Sequence, residues 1–205
     1  MSQRDSGIAA GAPTMTSDEA LMLEFQGGSR AAFEELFARY RKPLYGFFRR
    51  RLNNPERAED LTQETFLAVI RATSRYEPRA SVRTYLYGIA LKLLAAERRK
   101  FLTSSTSGQP ATEPKTDGTP ECVLWVRQAM EMLDAPEREI LMLREYEQLS
   151  YSEIAELLRI PVNTVRSRLF RSRLALKSYL KSEAKNNPAL RPSAGQPSPG
   201  RRGTQ

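Results

Sequence analysis

Residues 159–181 carry seven basic side chains and no acidic one, with hydroxyl and amide groups set among them. Asn163, Thr164, Arg166, Ser167, Arg168 and Arg171 lie within nine consecutive positions. Hydrogen-bonding side chains read the edges of base pairs, and neighbouring cations neutralise phosphates. The set therefore suits contact with duplex DNA better than bond-making chemistry. Histidine is absent, which removes the commonest general base and metal ligand. The one cysteine, Cys122, can form neither an internal disulfide nor a zinc site. No catalytic residue, metal or cofactor is expected.

The elements around that set are legible. Ser150 followed three residues later by Glu153 forms a capping box that starts a helix. Pro161 forces Ile160 out of helical geometry, so 159–161 is a break, and a second helix starts at Val162. Two short helices joined this way make a helix-turn-helix, whose second helix enters the major groove. On that helix Val165, Leu169, Ser172 and Leu176 form the stripe expected to face the core. Thr164, Ser167 and Arg171 lie opposite, with Arg166 and Arg168 on the flanks. Phe170 and Leu174 also fall outward and are expected to pack against an earlier helix.

A second candidate surface lies on a helix predicted over residues 81–101. Val82, Leu86, Ile89 and Leu93 are its expected core stripe. The other side would present Thr84, Tyr87, Leu91 and Arg98, flanked by Arg83, Tyr85, Lys92 and Arg99. Aromatics among cations can stack unpaired bases and track a single-stranded backbone. The residues fit equally two half-buried tyrosines with no ligand, and taken alone they favour that plainer reading. The helix before it has the opposite sign. Glu59, Asp60, Gln63, Glu64, Leu67 and Ile70 share one side, and a purely solvated face would not carry the last two. This acidic and apolar strip repels DNA and suits a basic partner helix.

The whole chain agrees with an anionic partner: 205 residues, net charge +8 and sequence pI near 9.8. The pattern predicts an all-α fold in two small helical domains joined by a flexible linker, the second containing the helix-turn-helix. The first domain is placed at 17–101, the second at 120–182. The Pro-, Gly- and Ser-rich segments 1–16, 102–119 and 183–205 cannot offset their ordering entropy and are expected to be disordered. Helices are expected at 17–26, from Ser29 with a kink at Pro43, from Pro55, at 81–101, and near 120–133, 136–147, 150–158 and 162–181. No apolar run approaches the ~20 residues of a membrane span, and the N-terminus lacks a signal-peptide pattern. A cytoplasmic location is expected.

The blocks FEELFARYRKPLYGFFRRRLNNPERAEDLTQETFLAVIRA, SVRTYLYGIA and LSYSEIAELLRIPVNTVRSRLFRSRLALK closely resemble the extracytoplasmic-function group of bacterial RNA polymerase sigma factors, in that family's order and spacing. The resemblance implies a subunit that binds core RNA polymerase and directs initiation at promoters. Glu59, Asp60, Gln63, Glu64, Phe66 and Leu67 would bind the clamp coiled coil. Residues 73–100 would melt and capture the −10 element. The helix-turn-helix would read the −35 element near the polymerase flap, and an anti-sigma factor is an implied partner. A stand-alone helix-turn-helix regulator is the alternative, but it leaves the acidic strip and the tyrosine helix without a task. Four positions depart from the family pattern: Tyr85, Lys92 and Ala96 replace its usual Trp, Asn and Asp, and Arg159 replaces a turn glycine. The −10 specificity therefore does not carry over, and Arg159 is expected to be strained or to alter the turn.

Overall fold

In the first half of the chain each helix starts where a short polar side chain takes up a free backbone N–H. Ser17 accepts from Ala20 N at 3.1 Å and opens α1 (Asp18–Gln26). Gly27 and Gly28 stop it, Gly28 at φ +98°, a backbone state that costs glycine little. Ser29 then caps α2 (Arg30–Arg49). Asn54 accepts from Arg57 N at 3.0 Å and starts α3 (Pro55–Ala72), with Pro55 where its missing N–H is harmless. A 3-10 turn at Thr73–Arg75 and an extended connection lead to α4 (Val82–Ser104), capped by Ser81. These details come from a computed structural model that describes residues 16–52, 54–104 and 121–186.

The chain divides into two compact units, α1–α4 and α5–α8. Among the described residues every regular element is helical. The first unit packs its helices around Met22, Leu44, Phe47, Phe48, Leu61, Val82, Tyr87 and Leu94, all within 2% of full burial. Pro43 does not end α2, which continues through it. The aromatic rings of Phe33, Phe37 and Phe66 form one cluster, with Phe37 and Phe66 centroids 4.7 Å apart. Buried Thr62, Thr65 and Thr73 each donate to the carbonyl four residues earlier, which satisfies hydroxyls that would otherwise be costly to bury.

The second unit comprises α5 (Glu121–Glu131), α6 (Ala135–Glu145), α7 (Tyr151–Leu158) and α8 (Val162–Asn186). Its core is Ile140, Leu143, Leu149, Ile154, Val165 and Leu169. Arg138 donates to the carbonyls of Met130, Glu131 and Leu133, so it satisfies the end of α5 from the next helix. The two largest shifts in boundary are at the ends of α4 and α8. α4 runs three residues past 101, and α8 runs five past 181, into the start of the segment expected to be disordered. Residues 1–15, 105–120 and 187–205 lie outside the described residues.

Candidate nucleic-acid and polymerase interfaces

The helix-turn-helix forms as its capping chemistry requires. Ser150 Oγ accepts from Glu153 N at 3.2 Å, and Glu153 Oε2 accepts from Ser150 N at 2.8 Å. α7 ends at Arg159 in the left-handed region, φ 54° and ψ 47°. A non-glycine residue there carries roughly 1–2 kcal/mol of strain. The turn is kept nonetheless, because Ile160 N donates back to Ala155 O at 3.0 Å. Pro161 O then accepts from Thr164 and Val165 to start α8.

On α8, Val165, Leu169 and Ser172 are buried and Leu176 is half-buried, so the expected stripe faces the core. Asn163, Arg166, Ser167 and Arg171 are exposed, and Thr164 and Arg168 are half-buried. Ser167 Oγ donates back to the helix, with the Asn163 carbonyl at 2.9 Å and the Thr164 carbonyl at 3.1 Å. Among the described residues no earlier helix covers Phe170 and Leu174. They are 69% and 55% exposed, so the outward face of α8 is longer and more apolar than expected.

On α3 the acidic strip lies at the surface. Asp60 and Gln63 are exposed, Glu59 and Glu64 half-buried, and Leu67 and Ile70 are 47% and 45% exposed. Phe66 is a correction to the expected surface set. It is buried at 4%, against Phe33 and Phe37, and supports the strip from beneath. The carboxylates are held by internal cations. Arg57 grips Glu97 of α4 with two bonds, at 2.7 and 2.8 Å, and reaches Glu64 at 3.1 Å and Asp60 at 3.4 Å. Its guanidinium holds the Glu97 carboxyl below the usual carboxylate range. Arg41 reaches Glu59 at 2.9 Å.

On α4 the buried stripe is Val82, Leu86, Ala90, Leu94 and Glu97, widened by Thr84 and Tyr87. Two residues expected at the DNA-facing surface are thus turned inward: Thr84 is 5% and Tyr87 1% exposed. The ring of Tyr87 lies 5.5 Å from that of Phe47, and Thr84 Oγ1 is bonded to Ser81 Oγ at 2.9 Å. Ile89 and Leu93, placed in the core stripe, are half-buried. Lys92, Arg98 and Arg99 are exposed, and Arg83, Tyr85 and Leu91 half-buried. Tyr85 packs edge-on against Tyr76 at 5.3 Å, and burial pushes both phenols up. The connection before α4 is tied to α1, since Gln26 Nε2 donates to the Thr73 and Tyr76 carbonyls, each at 3.1 Å. Glu19 accepts from Val82 N at 3.2 Å at its other end.

Comparison with known proteins decides the family. The sigma-70 region 2 family matches residues 36–100 and the sigma-70 region 4 family matches residues 124–176, together more than half of the chain. The RNA polymerase sigma-H factor of Pseudomonas aeruginosa is 31% identical over 184 residues, covering 82% of this chain and 95% of that protein. The chain belongs to the extracytoplasmic-function group of the sigma-70 family. An ECF RNA polymerase sigma-E factor of Salmonella typhimurium is 30% identical over 177 residues, covering 78% of this chain and 92% of that protein. In fold it is similar to the sigma factor RpoE of Bartonella quintana, solved in complex with the anti-sigma factor NepR. The TM-score is 0.58 at 22% identity, over 73% of this chain and 96% of that one. As a sigma factor it binds core RNA polymerase and directs initiation at promoters. Among the described residues no helix is long and apolar enough to cross a membrane.

Sequence reasoning missed the residues that brace this sigma factor's surfaces. Arg57 and Glu97 are 40 positions apart, and Gln26 reaches carbonyls 47 and 50 positions away. None of these pairs leaves a local spacing signal. The one available cue was Arg57 itself, a lone cation within an otherwise acidic turn, a pattern that marks an internal counter-ion.

Proposed function

We propose that the sigma factor divides its work among three surfaces. The α3 strip of Glu59, Asp60, Gln63, Glu64 and Leu67, extended by Ile70, docks on the basic clamp coiled coil of core polymerase, with Phe66 as its support. Arg83, Tyr85, Leu91, Lys92, Arg98 and Arg99 of α4, with the 73–81 connection, hold the opened −10 strand. The outward face of α8 reads the −35 duplex while its unit sits near the polymerase flap. Residues 17–101 and 120–182 act as the two functional domains, with 102–119 as the linker between them. The chain itself is no enzyme, since the polymerase supplies the chemistry, and it acts in the cytoplasm. The complex formed by the Bartonella relative supports an anti-sigma factor as a further partner.

The observation that carries this reading is the pairing of opposites in one unit: a carboxylate strip with exposed Leu67 and Ile70 on α3, and half-buried Tyr85 with the exposed cations Lys92, Arg98 and Arg99 further along α4. A DNA-only protein has no use for the first. Unstacking a base costs a few kcal/mol, and stacking on an aromatic returns about 1–3 kcal/mol per base. One tyrosine and several cations are therefore sufficient to trap a short single strand. The test is run-off transcription by core polymerase on fragments of the source genome, with and without the chain. Specific transcripts that need the chain are expected, and their absence from every fragment contradicts the reading.

A further inference from the structure

Arg171, at the outward face of α8, is not a free cation. Its Nε donates to Glu137 Oε1 of α6 at 2.9 Å. Both partners are anchored on packed backbone. The Glu137 side chain is 17% exposed, and its carbonyl accepts from Ser172 Oγ at 3.2 Å. Ser172, next to Arg171, is fully buried. The Arg171 side chain itself remains 62% exposed.

A guanidinium holds five N–H donors in one plane. With Nε taken, the edge formed by Nη1 and Nη2 is left, and two parallel donors there match guanine N7 and O6 or a phosphate. The carboxylate chooses between these. A phosphate approaching Arg171 meets the Glu137 charge, whereas a neutral base edge pays no such repulsion. The fixed plane also narrows the directions in which the outer edge can bond. We propose that Glu137 is a positioning residue for promoter recognition, holding Arg171 in the orientation that reads one base of the upstream element. This rests on the reading of α8 as the −35-contacting helix.

The test uses holoenzymes assembled from core polymerase and the full chain, as wild type, Arg171→Ala, Glu137→Leu and Glu137→Gln. Each is bound to a duplex library randomised across the upstream element, and the library is sequenced before and after selection. Arg171→Ala is expected to lower discrimination at one base position by about 5- to 150-fold. Glu137→Leu should lower it at that same position by about 3- to 10-fold and leave other positions unchanged. Glu137→Gln keeps an acceptor for Nε but removes the charge that repels phosphate, so it should keep the same preferred base with a smaller loss of discrimination than Glu137→Leu. Unchanged discrimination in Glu137→Leu overturns the proposal, as does a uniform change in affinity across all sequences. Loss of folding in Glu137→Leu would show in its melting curve, and Glu137→Ala, which also removes the acceptor at Nε, is then read in its place: unchanged discrimination at that position overturns the proposal. If Arg171→Ala alters no position, the −35 reading of α8 fails, and the pair loses its task with it.

Discussion

Two helices of this sigma factor were expected to face DNA, and they differ in how they are built. On α8 the cations outnumber the outward apolar residues Phe170 and Leu174, and Val165, Leu169, Ser172 and Leu176 form the one stripe that sets the helix on its core. On α4 apolar residues occur all round, so the sequence allows several rotations. Packing selects the one that buries Ala90 and Leu94 and leaves Ile89 and Leu93 half-buried. That rotation takes Tyr87 and Thr84 inward with it. Charge marks the outside of a helix reliably only where apolar residues do not compete for the same face.

The largest expected effect tests that rotation. Tyr87→Ala removes a ring buried to 1% against Phe47 and should cost about 3–5 kcal/mol. Phe66→Ala should cost a similar amount, about 3–5 kcal/mol, by emptying the Phe33–Phe37 cluster. Denaturant unfolding of the full chain checks both. A loss under about 1 kcal/mol would place either ring at the surface and restore it to the contact sets first drawn from the sequence.

A smaller effect tests how the first unit is braced. Arg57→Ala leaves Glu97 buried without its partner and should destabilise by about 1–3 kcal/mol. The same pair carries a pH signature. Glu97 has a lowered pKa in the folded chain, so its contribution is complete above the usual carboxylate range and is lost as pH falls through the folded value. Unfolding followed from neutral pH into acid should therefore show a loss of stability in the wild type that Arg57→Ala has already suffered. Identical acid profiles in the two proteins would show that the pair does not couple α3 to α4.

The smallest effect sits in the second unit. Arg159→Gly should raise its stability by about 1 kcal/mol, since glycine adopts the left-handed turn without strain. Thermal unfolding measures it, and a decrease would mean that the arginine side chain stabilises the turn by contacts outweighing its backbone strain.

Much of the architecture was legible because it is written in local spacing. Ser29, Pro55, Ser81, the Ser150–Glu153 box and Pro161 each act within four residues, and all the expected helices are present. The outward set of α8 was equally local, apart from Phe170 and Leu174, whose apolar character suggested cover by an earlier helix and which stay exposed among the described residues. The bracing was hidden because it is long-range. Arg57 with Glu97, Gln26 with the 73–76 carbonyls, and Arg171 with Glu137 each join separate helices or a loop, and no periodicity records such pairs. Phe66 shows a further limit: a family motif groups residues by shared importance, and that includes one that works from inside.

The central claim is that α3 and α8 carry separate contacts, and a crossed measurement of polymerase and promoter binding tests it most directly. Chains carrying Asp60→Lys with Glu64→Lys, or Arg166→Glu with Arg168→Glu, are compared with wild type for affinity to core polymerase and for transcription from a promoter found by run-off. The first pair of changes should abolish polymerase binding, by about 100-fold or more for two reversed charges in a docking surface. The second should leave polymerase affinity within about 3-fold and remove promoter-dependent transcription. If the α3 reversals leave polymerase affinity intact, or the α8 reversals abolish it, the division of labour proposed for the two helices is contradicted.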